Sequence, residues 1–179
     1  MKLILSVFLL LVSSGSLAMT EQSGEKALQQ PSNAINLSLD LNSRDLMASA
    51  LGQVKGSVSA VVYKFDDPEL LPSLLEALSR GVQMQILCDE KESKKDRSLI
   101  GQLALAGADI RVWPRSQGKL HAKFVLCDDD RVLTGSWNWT ISAGSKNLEI
   151  LMDIKDDDTV ETFVGVFARL WKKSQPLKK

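Results

Sequence analysis

The chain has 179 residues, with 22 basic and 22 acidic side chains and 44% hydrophobic residues. That length suits one domain with its own core. The cancelled charge excludes a global basic field, so any anion site must be local.

Residues 1–18 read as a signal peptide: Lys2 is followed by the apolar run "LILSVFLLLV" and by small residues ending at Ala18. An uncleaved membrane anchor is the alternative, although the run is short for a span. The mature protein is expected to be exported, periplasmic or secreted. Residues 19–33 are polar and aperiodic and read as a flexible linker.

A domain over 34–173 follows. "AINLSL" (34–39) suggests a strand, and Ser43 can cap a helix carrying Leu46, Met47, Ala50, Leu51 and Val54 on one stripe, stopped by Gly56. "SVSAVVYKF" (57–65) is β-branched and strand-like. In "DDPELLPSLLEALSRG", Asp67 is the expected helix cap, Pro68 the first helical residue and Gly81 the stop. "VQMQILC" (82–88) is a strand and "DEKESKKDR" a solvated loop. "SLIGQLALAG" is a short helix and "ADIRVW" (108–113) a strand. "LHAKFVLC" (120–127) and "RVLTGS" (131–136) make a hairpin around Asp128–Asp130. "NLEILMDI" (147–154) is the last strand, about 157–172 the last helix, and 174–179 a tail. Strands and helices alternate early and strands then run together. The expected fold is α/β, a mixed sheet sandwiched between helices. Cys88 and Cys127 each end a strand-like run and read as buried free thiols, with a disulfide as the alternative.

His121 is the only histidine. Residues two apart on a strand share a face, so His121 and Lys123 project together. An ammonium there favours the neutral, nucleophilic imidazole. The hairpin brings Gly135, Ser136 and Asn138 back toward His121. These offer close backbone approach and neutral hydrogen-bond donors suited to phosphate oxygens. Glu149, on the last strand, is placed to hold the other ring nitrogen of His121. One histidine and two cysteines are too few soft ligands for a metal centre.

The spacing His121-x-Lys123-x4-Asp128-x6-Gly135-Ser136-x-Asn138, with Glu149 thirteen residues after Ser136, resembles the signature of the phospholipase D superfamily. It is most similar to the short, exported Nuc-type endonucleases with one motif copy. The resemblance implies a phospholipase D/nuclease-like fold and a phosphohistidine formed on His121. Lys123 and Asn138 would hold phosphate oxygens with Ser136 in support, Glu149 would orient the histidine, and Asp128 would be structural. It also implies two histidines per reaction, which one motif copy supplies only as a homodimer with the site on its two-fold axis. No metal or other cofactor is expected, since lysines and amides neutralise the phosphate. Arg115, Lys119 and Lys146 are candidate contacts to a nucleic-acid backbone. Trp137 is a candidate for base stacking, and Trp113 reads as core. Hydrolysis of phospholipid headgroups and a non-catalytic nucleic-acid-binding dimer are the alternative readings.

Overall fold

A computed structural model of the protein describes residues 35–38 and 43–178, so the expected signal peptide and linker lie outside the described residues. The first half runs β1 (Ile35–Ser38), α1 (Ser43–Gln53), β2 (Ser57–Val62), α2 (Leu71–Ser79), β3 (Gln83–Asp89), α3 (Glu90–Ser93), α4 (Ile100–Leu105) and β4 (Asp109–Trp113). A 3₁₀ turn at Arg115–Gln117 leads to β5 (Phe124–Cys127), β6 (Arg131–Gly135), α5 (Ile141–Ser145), β7 (Leu151–Ile154), α6 (Asp157–Lys173) and β8 (Gln175–Pro176). The strands form one sheet in the order β1-β7-β6-β5-β2-β3-β4-β8. Pairing is parallel at β2–β3 and β3–β4 and antiparallel at the other five junctions.

The alternation of side chains along each strand feeds two cores. Val58, Ala60 and Val62 of β2 turn to one face, with Met84, Ile86 and Cys88 of β3. There they pack on Met47 and Leu51 of α1, Leu71 and Leu74 of α2, and Leu103 of α4. Val61, Leu87, Phe124 and Leu126 turn to the other face, which α6 covers with Val160, Phe163 and Phe167. The result is the expected mixed sheet with helices on both sides. A fully buried Leu or Phe of this kind contributes about 1.5–3 kcal/mol by leaving water. Asp156 caps α6 by accepting from the Thr159 amide at 3.0 Å, and Lys172 and Lys173 occupy its last turn.

Several boundaries differ from the sequence reading. Asp67 does not cap α2, which begins at Leu71 with a proline in its first turn. Its carboxylate is wholly buried and accepts from Arg44 Nε at 2.8 Å and from the Glu69 amide at 3.1 Å. A charge this deep needs a partner, and α1 supplies the guanidinium. The stretch after β3 is no solvated loop at its start: Asp89 and Glu92 are buried. Asp89 caps α3 through the amides of Lys91 and Glu92, at 3.0 and 3.1 Å. At the far end, Gln175 and Pro176, read as tail, pair with β4.

The thiols of Cys88 and Cys127 are free and buried. They sit on β3 and β5, with β2 between, opposite Val62 and Val58 respectively. Strand geometry puts them about 16 Å apart, beyond the reach of a disulfide. Burial pushes both thiols up to about 12.

Asp128 and Asp129 turn the β5–β6 hairpin with φ of 52° and 55°. The Asp128 carboxylate reaches across to the α1–β2 turn, accepting from the amides of Lys55, Gly56 and Ser57 at 3.0, 2.7 and 2.9 Å. Burial alone would raise its pKa, but the three amide bonds outweigh that and hold it below the usual carboxylate value. Its contribution is therefore present above the unfolded pKa and lost as pH falls through the folded one. Asp128→Ala is expected to cost about 1–3 kcal/mol, read as a lower midpoint in urea unfolding at pH 7, with the difference from wild type shrinking toward pH 2.

Candidate active site

β2 and β3 run parallel and end at the same edge of the sheet. β5, antiparallel to β2, starts there; β6 ends there and β7 starts there. The carboxyl end of parallel strands is where open α/β sheets place ligands. His121 and Lys123 stand in the extended segment just before β5, whose first residue is Phe124, so the histidine lies outside the strand expected over 120–127. Two bonds fix that segment. Asp89 Oδ2 accepts the Leu120 amide at 3.1 Å, and Thr134 Oγ1 donates to the Lys123 carbonyl at 2.9 Å.

The imidazole of His121 is exposed. Desolvation lowers its pKa first, and the ammonium groups of Lys123, Lys119 and Lys64 lower it further; Asp89 opposes them weakly. Lys123 is half-buried, and desolvation lowers its pKa also, with Glu149 opposing and Lys119 assisting. Three like charges around one neutral base make a site that an anion would stabilise.

Gly135 is required by contact rather than by torsion. A Cβ there would lie 2.0 Å from the Ile150 carbonyl oxygen and 2.8 Å from its carbon. This close approach seals β6 against β7, and Ser136 continues the seal by donating its amide to Ile150 O at 3.0 Å. Ser136 Oγ accepts from the Ile150 amide at 3.0 Å and donates to Glu149 Oε2. Asn147 Nδ2 donates to Glu149 Oε1 at 2.9 Å. Glu149 is thus buried and engaged by Ser136 and Asn147. Among the described residues no hydrogen bond joins it to the His121 ring, so the expected histidine–glutamate pair is not formed within one chain. Both carboxylate oxygens are already committed along β6–β7, and the acid faces Lys123 instead.

The motif loop is clamped from β2. The Trp139 carbonyl accepts from the amides of Asp66 and Asp67 at 2.8 and 3.2 Å, and the Phe65 and Trp139 rings meet edge-on at 5.3 Å. Trp137, expected to stack on bases, is buried at 2% exposure within the larger core. It anchors the loop and has no surface to offer a ligand. Trp113 is half-buried against the α6 side. Asn138 is half-buried, and its Oδ1 is buried without a hydrogen-bond partner among the described residues. Arg115, Lys119 and Lys146 are all exposed. Lys119 reaches the site, while Arg115 donates its amide to Glu90 at 2.8 Å and Lys146 lines a shallow groove with Asp66 and Arg97. Sequence reasoning missed Tyr63, Lys64 and Asp89, all at the carboxyl ends of β2 and β3. The parallel pairing was the signal that would have found them.

Comparison with known proteins agrees with this geometry. Residues 47–171 match the family model described as cardiolipin synthase, PLD-like domain. A mitochondrial cardiolipin hydrolase of Xenopus tropicalis is 35% identical over 120 residues, which cover 67% of this chain and 57% of that protein. A phospholipase D of Rickettsia conorii is 28% identical over 118 residues, covering 66% of this chain and 58% of that one. The chain therefore spans little more than half the length of these relatives. The crystal structure of Nuc from Salmonella typhimurium, a phospholipase D family member, superposes with a TM-score of 0.74 at 27% identity. The superposition covers 84% of this chain and 100% of that one. With a histidine–lysine pair, a Gly-Ser-x-Asn turn and a buried glutamate gathered at one sheet edge, the chain belongs to the phospholipase D superfamily.

Proposed function

We propose that this protein is an exported, metal-independent phosphodiesterase that cleaves nucleic acid with little sequence preference, working as a two-fold homodimer. The observation that carries the reading is the exposed imidazole of His121 among Lys64, Lys119 and Lys123, where desolvation and the like charges depress its pKa and favour the neutral form. A neutral imidazole is a nucleophile, and clustered ammonium groups stabilise the charge that builds on a phosphorane-like transition state. His121 attacks phosphorus, the bond to the leaving oxygen breaks, and a phosphohistidine forms. A second imidazole, from the other copy of the chain, donates the proton that the leaving oxygen takes. It then removes a proton from the water that releases the product. An exposed imidazole on an open face suits a polymer lying across it, and Lys119 beside it tracks the backbone without reading bases.

Hydrolysis of a phospholipid headgroup is the second reading. Two observations favour it: the likeness to a cardiolipin hydrolase and a phospholipase D, and the exposure of Leu148 (79%) and Ile150 (43%) on either side of Glu149. Among the described residues no helix is long and apolar enough to cross a membrane.

Purified protein lacking residues 1–18 is expected to degrade plasmid and single-stranded DNA in excess EDTA, while leaving cardiolipin and phosphatidylcholine vesicles intact. His121→Ala should abolish the activity, and Lys123→Ala should lower kcat by about 10²–10³-fold. Lipid turnover without DNA cleavage would select the second reading, and full activity in His121→Ala would rule out both.

The acid limb of kcat/KM should fall below pH 6.5, because desolvation and the lysines depress the nucleophile. Lys119→Ala removes a repelling cation, so it should move that limb to higher pH. A limb that stays in place would mean that Lys119 does not face the nucleophile in solution. Sedimentation should give a dimer, and a fully active monomer would contradict the shared site.

A further inference from the structure

We propose that Tyr63 is a positioning residue for His121: its ring braces the imidazole from the side and gathers the neighbouring lysine head groups, while Glu92 holds its hydroxyl. Tyr63 is the only tyrosine in the chain and follows β2 directly. The register that pairs Val61 with Phe124 brings it opposite the His121–Lys123 segment. The two rings meet edge-on, with centroids 4.6 Å apart and planes at 65°. That is the arrangement in which one ring's positive edge meets the other's negative face. Lys119 Nζ lies 4.5 Å from the Tyr63 centroid, Lys64 Nζ 5.4 Å and Lys123 Nζ 5.7 Å, all within cation–π range.

The brace is itself held. Tyr63 donates its hydroxyl to Glu92 Oε1 at 3.3 Å. Glu92 is buried and accepts from Lys95 Nζ at 2.8 and 2.7 Å. Burial raises the Glu92 pKa, but Lys95, Lys64 and the tyrosine hydroxyl outweigh it and keep the carboxylate ionised. The need for a brace follows from the absent histidine–glutamate pair. Among the described residues no hydrogen bond reaches the His121 ring, so none of them restrains its two side-chain torsions by a polar contact, and a nucleophile must hold near-attack geometry. Ring contact restricts those torsions without consuming either ring nitrogen.

A single histidine makes the test direct, since one imidazole accounts for the whole histidine signal. The charged groups facing it are Lys64, Lys119 and Lys123 as cations and Asp89 as the acid. In the unaltered protein, proton NMR should show cross-relaxation between the Tyr63 and His121 ring protons, and its absence would overturn the proposal without any variant. Tyr63→Leu keeps an apolar side chain but removes the π face. If it melts within a few degrees of wild type, its imidazole should lose the ring-current shift and titrate closer to 6.5. Its kcat for the diesterase reaction should fall about 3- to 10-fold. Tyr63→Phe keeps the ring and should retain the ring-current shift. A folded Tyr63→Leu protein with the wild-type shift and midpoint would also sink the proposal. The kcat arm rests on the phosphodiesterase reading. The NMR arms do not, so an inactive wild type with an intact Tyr63–His121 contact would refute the activity and leave the brace standing.

Discussion

The seam between β6 and β7 governs the site. Gly135 lies so close to the Ile150 carbonyl that no side chain fits between them. That contact lets Ser136 reach the Ile150 amide with its hydroxyl and Glu149 with its proton. Glu149, seated there, faces Lys123 from the neighbouring strand pair. A β-sheet fixes register in steps of one residue, and one step turns every side chain to the other face. A tight glycine at the last position of β6 therefore sets where the glutamate sits and which lysine it meets.

The hairpin that carries the motif is pinned at both ends by groups of different kinds. At the site end the anchors are Thr134 on the Lys123 carbonyl and Asp89 on the Leu120 amide. At the far end Asp128 collects three amides of the α1–β2 turn. At that same far end, Arg131, the first residue of β6, pairs with Asp153 of β7 through two bonds of 2.6 Å, both side chains being buried. A buried, doubly hydrogen-bonded pair contributes more to register than to net stability, because desolvation offsets most of the attraction. The motif aspartate is thus remote from the chemistry, yet it orients the strand that delivers it.

Much of this was legible in the sequence. Apolar stripes in α1, α2 and α6, the β-branched run in β2 and the apolar run in β3 fix the layers, since burial of those faces dominates the energetics. The spacing from His121 to Asn138 identifies the site because a hairpin of that length returns the chain to its start. What escaped reading was set by long-range contact. Asp67 looks like a helix cap until Arg44, twenty-three residues earlier, is brought against it. Asp89 and Glu92 sit among lysines in a stretch that looks solvated, yet each is buried by partners from other elements. Trp137 borders the motif and looks available, but the turn after β6 folds inward and takes it into the core. Glu149 was expected to hold His121, but its hydrogen bonds go to Ser136 and Asn147, partners set by how β6 lies against β7.

The two thiols have one more consequence. They point into the same core from strands that do not touch, and burial holds both protonated at neutral pH. A protonated, enclosed thiol is inert to alkylating reagents. The native chain therefore contains no internal covalent cross-link to reduce, and reducing agents leave its melting behaviour alone. Each cysteine instead becomes a built-in clock: the rate at which a maleimide captures it measures how often the sheet opens around β3 or β5, one strand on either side of β2.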